Sequence, residues 1–218
     1  MTSLPLIALD GPSGVGKSTT ARAVAAALGW DYLDTGGMYR CAALAALRAG
    51  VEPGDPQTGE VLGRALIEQA GGRFALDGED VTDLIRSAEI THLASTFSAV
   101  RSVREVLVNL QQRIGARGRW VVDGRDIGTV VFPAACCKVF LTASAEARAH
   151  RRLLELEAKG QLADFAKVLT DLTERDHRDS TRALAPLRPA EDAHRVDSSD
   201  LDLPEVIEII LSLHRAHG

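Results

Sequence analysis

The sequence is poor in the residues that most often announce a macromolecular partner. Aromatic residues make up 4% of its 218 positions, so the stacking platforms that hold single-stranded nucleic acid are scarce. Basic residues number 25 against 30 acidic ones, for a formal net charge of -5, and no global positive field draws the chain onto nucleic acid. The three cysteines, Cys41, Cys136 and Cys137, are too few and too badly spaced for a disulfide framework. The adjacent pair reads as two small apolar residues entering a strand, in preference to a redox or metal site. No stretch has the apolar length of a bilayer span. The opening MTSLPLIALDG carries neither the basic nor the apolar region of a signal peptide. These absences lead us to expect a cytoplasmic protein, a monomer, that binds neither nucleic acid nor membrane.

What is present is ordinary for a soluble globular chain, with 45% hydrophobic and 25% charged residues. Short apolar runs alternate with helical patterns, which predicts an α/β fold with a parallel sheet and helical crossovers. Strands are expected at 4–9, 31–33, 119–122, 138–141 and 193–196. Helical spacing recurs at Ala21, Val24, Ala25 and Leu28, at Val100, Val103, Leu107 and Leu110, and at Val206, Ile209, Ile210 and Leu213. Pro204 stands where a first helical turn tolerates it. Two regions depart from this rhythm. Residues 51–89 carry Gly and Pro punctuation and then an Asp77-Gly78 hairpin turn, and read as an inserted subdomain. Residues 148–167 hold Lys159-Gly160 between helical patterns and read as a lid. The remainder, 1–50, 90–147 and 168–218, is the expected core of a single domain.

Gly11-Pro12-Ser13-Gly14-Val15-Gly16-Lys17-Ser18 matches G-x-x-x-x-G-K-[ST] in full, after an apolar run and before a helical one. Such a loop turns successive backbone N–H groups toward one anion, and the helix that follows adds its positive end. Lys17 then reaches the β- and γ-phosphates and Ser18 ligates Mg²⁺; Thr19 completes the expected ATP-binding run. Switches, motors and kinases share this loop.

Three further constellations point to phosphoryl transfer. Asp34-Thr35-Gly36 after a short strand, followed by Tyr39 and Arg40, puts a ring and a guanidinium near a ligand, or is only a capped helix start. Trp120-Val121-Val122-Asp123-Gly124-Arg125-Asp126 is an apolar strand ending in a carboxylate that supports Mg²⁺, with Arg125 and Asp126 just past its end; alternatively Asp-Gly-Arg-Asp is a surface turn. The apolar stripe Phe165, Leu169, Leu172 runs on in phase into Asp176 and Asp179, while Arg175, Arg178, Asp179 and Arg182 share one helical face. Inward charge is costly without partners or a ligand; the other reading is a solvated face. With Arg40, Arg125 and the lid arginines Arg148, Arg151 and Arg152, these guanidinium groups suit two sets of phosphates.

The runs ALDGPSGVGKST, YLDTGGMYR, VVDGRDIGTVVFP, SAEARAHRR and ERDHRDSTRALAPL, in this order over nearly the whole chain, resemble those of the bacterial cytidylate kinases. The resemblance implies a P-loop nucleoside triphosphate hydrolase-type three-layer fold with a central parallel five-stranded sheet, an acceptor-binding insert and a helical lid. It implies transfer of the γ-phosphoryl group of ATP, with Mg²⁺, to CMP and dCMP. Thr35, Tyr39 and Arg40 match acceptor-holding positions, Arg125 an acceptor-phosphate contact, Asp126 a cytosine contact, and Ser95 and Arg104 base recognition. Arg175, Asp179 and Arg182 match ribose and phosphate contacts. Lys17, Arg125, Arg175 and Arg182 are the expected catalytic residues, and Arg178 an expected substrate contact. Ser18 and Asp123 are expected at the metal, Asp123 indirectly. Thr35 stands where many relatives have Ser, and Ser18 where many have Gly. A P-loop kinase for another small acceptor, with Asp34 or Asp126 as base, is the alternative within enzymes. A guanine-reading switch would carry N-K-x-D, and the sequence has none.

Overall fold

A computed structural model describes residues 4–158 and 160–217; Lys159, expected at the lid tip, lies outside the described residues. In chain order the first elements are β1 (Leu4–Asp10), α1 (Lys17–Leu28), β2 (Asp31–Asp34), α2 (Thr35–Arg48), α3 (Thr58–Arg64), β3 (Ile67–Ala70), β4 (Arg73–Leu76) and β5 (Glu79–Asp80). There follow α4 (Ala88–Phe97), α5 (Arg101–Gly115), β6 (Trp120–Gly124), β7 (Ala135–Thr142), α6 (Ala145–Ala158), α7 (Phe165–Thr181), β8 (His194–Asp197) and α8 (Leu203–His217). A single π-turn occupies Ile127–Val131. The chain forms two compact units, Met1–Tyr32 with Gly118–Gly218, and Leu33–Arg117.

The first unit is built on a five-stranded parallel sheet of order β2-β6-β1-β7-β8. Its central strand, β1, is apolar on both faces, and Leu6, Ile7, Ala8 and Leu9 are all buried, as a strand between covered faces must be. Ile7 stands opposite Val121 of β6 and Cys137 of β7. One core cluster joins these residues to Val24 and Ala25 of α1 and Val206 and Ile210 of α8. The stripes expected on α1 and α8 therefore face the sheet, and Pro204 falls in the first turn of α8.

Strand ends differ from the sequence reading, because a neighbouring strand decides where pairing stops. The strand expected at 119–122 starts one residue later and extends to Gly124, since Asp123 and Gly124 pair with Leu9 and Asp10. The surface-turn alternative for Asp123-Gly124 falls with this, and Asp123 is buried. The strand expected at 138–141 begins at Ala135 and takes in Cys136 and Cys137.

In the second unit, β3, β4 and β5 form an antiparallel sheet. Asp77 and Gly78 link β4 to β5 with φ of 52° and 83°, the doubly positive pair that a tight hairpin requires. Met38 and Cys41 of α2, Phe74, Ile85, Ile90, Phe97 and Leu107 are buried within this unit. The stretch 51–89 lies inside it; the unit also includes α2, α4 and α5.

Candidate active site

The glycine-rich loop of the first unit bridges the carboxyl end of β1 and the start of α1. Its entry is fixed sterically: a Cβ on Gly11, whose φ is 151°, would lie 2.1 Å from the Leu141 carbonyl oxygen on β7. Lys17 opens α1 and is buried, its Nζ donating to the Pro12 carbonyl at 2.6 Å. The ammonium is thus folded back over the loop. Burial, then the nearby Arg125, hold its pKa well below the ordinary lysine value; a cation so placed gains from an arriving anion.

Beside it, Ser18 Oγ donates to Asp123 Oδ2 at 2.7 Å, and the Tyr32 hydroxyl donates to Asp123 Oδ1 at 3.0 Å. The buried carboxyl end of β6 therefore presents a carboxylate to the loop hydroxyl, fixed from both oxygens. A hydroxyl and a carboxylate are hard oxygen donors, which suit Mg²⁺ carried by phosphates better than a dedicated cage. Among the described residues no group of three or more His, Cys, Asp or Glu gathers as a metal cage.

Asp10 anchors the segment that follows β6. Its carboxylate accepts from the Ile127 and Gly128 N–H groups, both at 2.8 Å, and burial raises its pKa from 3.8 to about 6. The π-turn starts here, with Val130 N–H and Val131 N–H both donating to the Asp126 carbonyl. Asp126 and Arg125 are thereby held at the carboxyl edge of the sheet.

The charged end of α7 meets them. Arg125 Nε donates to Asp179 Oδ2 at 2.9 Å, and Arg182 Nη2 to Asp126 Oδ1 at 3.4 Å. Arg182 Nε also donates to the Ala185 carbonyl at 2.7 Å. Burial pushes the Asp179 carboxyl upward, but Arg125 and Arg175, with Arg182 behind them, hold it below the ordinary carboxylate value. The solvated-face alternative thus fails for Asp179 and Arg182, whose side chains are 7% exposed each. It holds for Arg178, which is 47% exposed and lies 3.8 Å from Glu174.

Of the three arginines expected in a lid, Arg148 donates through Nη1 to the Ser13 carbonyl at 2.9 Å and pairs with Asp176. Arg151 donates to Ser198, with Nη1 3.1 Å from its Oγ. Arg152 pairs with Glu155 at 3.0 Å on an exposed surface. Thr19 is exposed one residue after Ser18.

In the second unit, Asp34 caps α2, accepting from the Gly37 N–H at 2.7 Å, and its other oxygen accepts from Arg40 at 3.0 Å. The capped-start alternative is therefore realised, with Arg40 drawn to the cap. Thr35 is buried. Arg104 donates to the Tyr39 hydroxyl at 3.1 Å, and the Ser95 carbonyl accepts from Ser98 Oγ at 2.7 Å.

Sequence reasoning missed Asp10, Tyr32 and the pairing of Asp176 with Arg148. A carboxylate closing an otherwise apolar strand run, LPLIALD, was the available signal for Asp10. The other two have no local signal.

A family model described as Cytidylate kinase matches residues 7–216. Among curated proteins, a cytidylate kinase of Rhodococcus opacus (strain B4) is 50% identical over 219 residues, covering 96% of this chain and 94% of its own. One from Rhodococcus jostii (strain RHA1) is 50% identical over 216 residues with the same coverage. Among solved structures, a gluconokinase from Sinorhizobium meliloti 1021 covers 99% of this chain and 95% of its own, at TM-score 0.52 and 16% identity, a likeness of fold alone. A glycine-rich loop that matches G-x-x-x-x-G-K-[ST] in full, a lysine folded onto it and a hydroxyl–carboxylate pair beside it meet a match of that extent, and the chain belongs to the cytidylate kinase family, as an ATP-dependent nucleoside monophosphate kinase.

Proposed function

We propose that this enzyme transfers the γ-phosphoryl group of ATP to CMP, and to dCMP, giving the diphosphate and ADP. Family membership over residues 7–216 carries the choice of acceptor. The acceptor's phosphate is already anionic near neutral pH, so no general base is required. The work is to align two repelling anions and to neutralise the charge that develops between them. Lys17, Arg125, Arg175 and Arg182 do this, with Gly11 to Thr19 holding ATP. Ser18, and Asp123 through it, would hold Mg²⁺, whose charge would offset that of the phosphates.

Asp126 reads cytosine. The ring offers an N4 donor beside N3 and O2 acceptors, whereas uracil would turn an acceptor toward the carboxylate. Discrimination against UMP then comes from an unpaired polar group and not from size. The Arg182 contact at 3.4 Å supports an Asp126 side chain that is oriented before the base arrives. Thr35, Tyr39, Arg40, Ser95, Arg104, Arg178 and Asp179 are assigned to the acceptor by the same reading, residues 51–89 to the acceptor-binding insert, and 148–167 to the lid. The enzyme acts as a monomer in the cytoplasm; among the described residues no helix is long and apolar enough to cross a membrane.

The test is ADP release with ATP–Mg²⁺ against CMP, dCMP, UMP, AMP, GMP and dTMP, repeated with Asp126→Asn. Release that needs CMP or dCMP, with a CMP:UMP preference lowered by the substitution, is the expected result. Release without an acceptor, or an unchanged preference, would overturn the reading at the reaction or at Asp126 respectively.

A further inference from the structure

Helix α7 reaches the phosphate loop through a contact the proposed chemistry does not use. The Ser13 N–H donates to Asp176 Oδ1 at 3.1 Å, across 163 positions of sequence. Arg148 Nη1 donates to the second carboxylate oxygen and, at 2.9 Å, to the Ser13 carbonyl. Arg148 Nε donates to the Ala143 carbonyl at 3.1 Å. Both backbone groups of Ser13 are thus held by one ion pair. One turn earlier on α7, Leu172 is buried against the same loop, its Cδ2 3.3 Å from where a Cβ on Gly14 would stand. The Arg148 side chain is 7% exposed and that of Asp176 20%. A guanidinium at that depth needs its carboxylate, and the pair is neutral as a unit, so it adds no repulsion to an arriving triphosphate.

We infer that Asp176 is a positioning residue of the ATP site, holding the Arg148 guanidinium and the Ser13–Gly14 crown of the loop in one arrangement. The loop amides are then set before the nucleotide arrives, and less ordering is required on binding. Asp176 acts through Arg148 and Ser13; it touches no reacting atom. The inference rests on the reading that ATP binds at this loop.

The experiment is steady-state kinetics and equilibrium binding of a fluorescent ATP analogue with Asp176→Asn. The amide keeps an oxygen for Ser13 but turns a donor toward Arg148, so shape is kept and the charge-assisted hold is lost. KM for ATP is expected to rise about tenfold, the effect of one such bond, with analogue affinity falling in step. The kcat and the KM for CMP should change by less than about twofold, against a tenfold bond. Arg148→Ala should show the same loss, and the double variant no more than Arg148→Ala alone. Arg148→Lys, which keeps charge but cannot bridge both partners, should lose part of it, and serves if Asp176→Asn fails to fold. Exposed Asp171 on the same helix is the control, and Asp171→Asn should leave every parameter unchanged. An unchanged or lowered KM for ATP in Asp176→Asn would overturn the inference, as would losses that multiply in the double variant. Lys17→Ala separates the two levels. If it binds the analogue as tightly as the native protein, the ATP-site reading itself fails; if it binds more weakly while Asp176→Asn binds normally, only the role of Asp176 fails.

Discussion

Asp179→Asn is the perturbation whose size the structure fixes best. Asp179 is buried, its side chain 7% exposed, and its carboxylate accepts from Arg125 Nε at 2.9 Å, with Arg175 and Arg182 also acting on it. Removing one partner of a buried pair costs about 3–5 kcal/mol. Asparagine keeps an oxygen for the Arg125 N–H, which leaves a loss of about 2–3 kcal/mol, the worth of a bond to a charged group. The pH dependence has a definite sign. The folded-state pKa of Asp179 is lowered, so its stabilisation is fully present above the unfolded value near 3.8 and is lost as pH falls through the folded value. Urea unfolding at 25 °C should therefore show the full deficit at pH 7 and a shrinking one below about pH 4. With Arg125 held less firmly, kcat/KM should fall about 100-fold, equivalent to about 2.7 kcal/mol. A deficit under about 0.5 kcal/mol, the level of an exposed pair, or one independent of pH, would refute the reasoning.

Two further substitutions probe the frame of the site. Gly11→Ala would place a Cβ 2.1 Å from a backbone oxygen of β7; strands β1 and β7 must part by about 1 Å, and a loss of more than about 3 kcal/mol in urea unfolding is expected, where a loss below about 1 kcal/mol would contradict the tight crossing. Asp10→Asn tests the buried carboxyl whose pKa is raised from 3.8 to about 6. Its contribution to stability is fully present below pH 3.8 and is lost as pH rises through about 6, amounting to about 3 kcal/mol. The stability of the native protein relative to Asp10→Asn should therefore fall by about that much between pH 4 and pH 7; a pH-independent difference would place the Asp10 titration elsewhere.

What was legible in the sequence was local. The loop from Gly11 to Ser18 is a contiguous pattern whose chemistry needs its residues side by side, and Asp77-Gly78 announces its hairpin because two positive φ angles fall on adjacent residues. The helical stripes of α1, α5 and α8 were readable because a period of 3.6 leaves a trace wherever one face is buried. Strand ends were not, since β6 extends to Gly124 only through its pairing with β1. The contacts that set the site in place were hidden for the same reason. Asp10 meets Ile127 across 117 positions, Ser18 meets Asp123 across 105, and Asp176 returns to Ser13 across 163. On α7 the pattern placed four charges on one face, but only burial separates Asp179 and Arg182 from the solvent-facing Arg178.

Direct transfer from ATP to a cytidine monophosphate at the Lys17 loop can be followed through the γ-phosphoryl group itself. ATP labelled at that position is mixed with CMP, Mg²⁺ and the enzyme, and the products are separated. Label is expected in CDP, matching ADP mole for mole, with Lys17→Ala producing none. Label appearing only as inorganic phosphate, or transfer that survives Lys17→Ala, would contradict it.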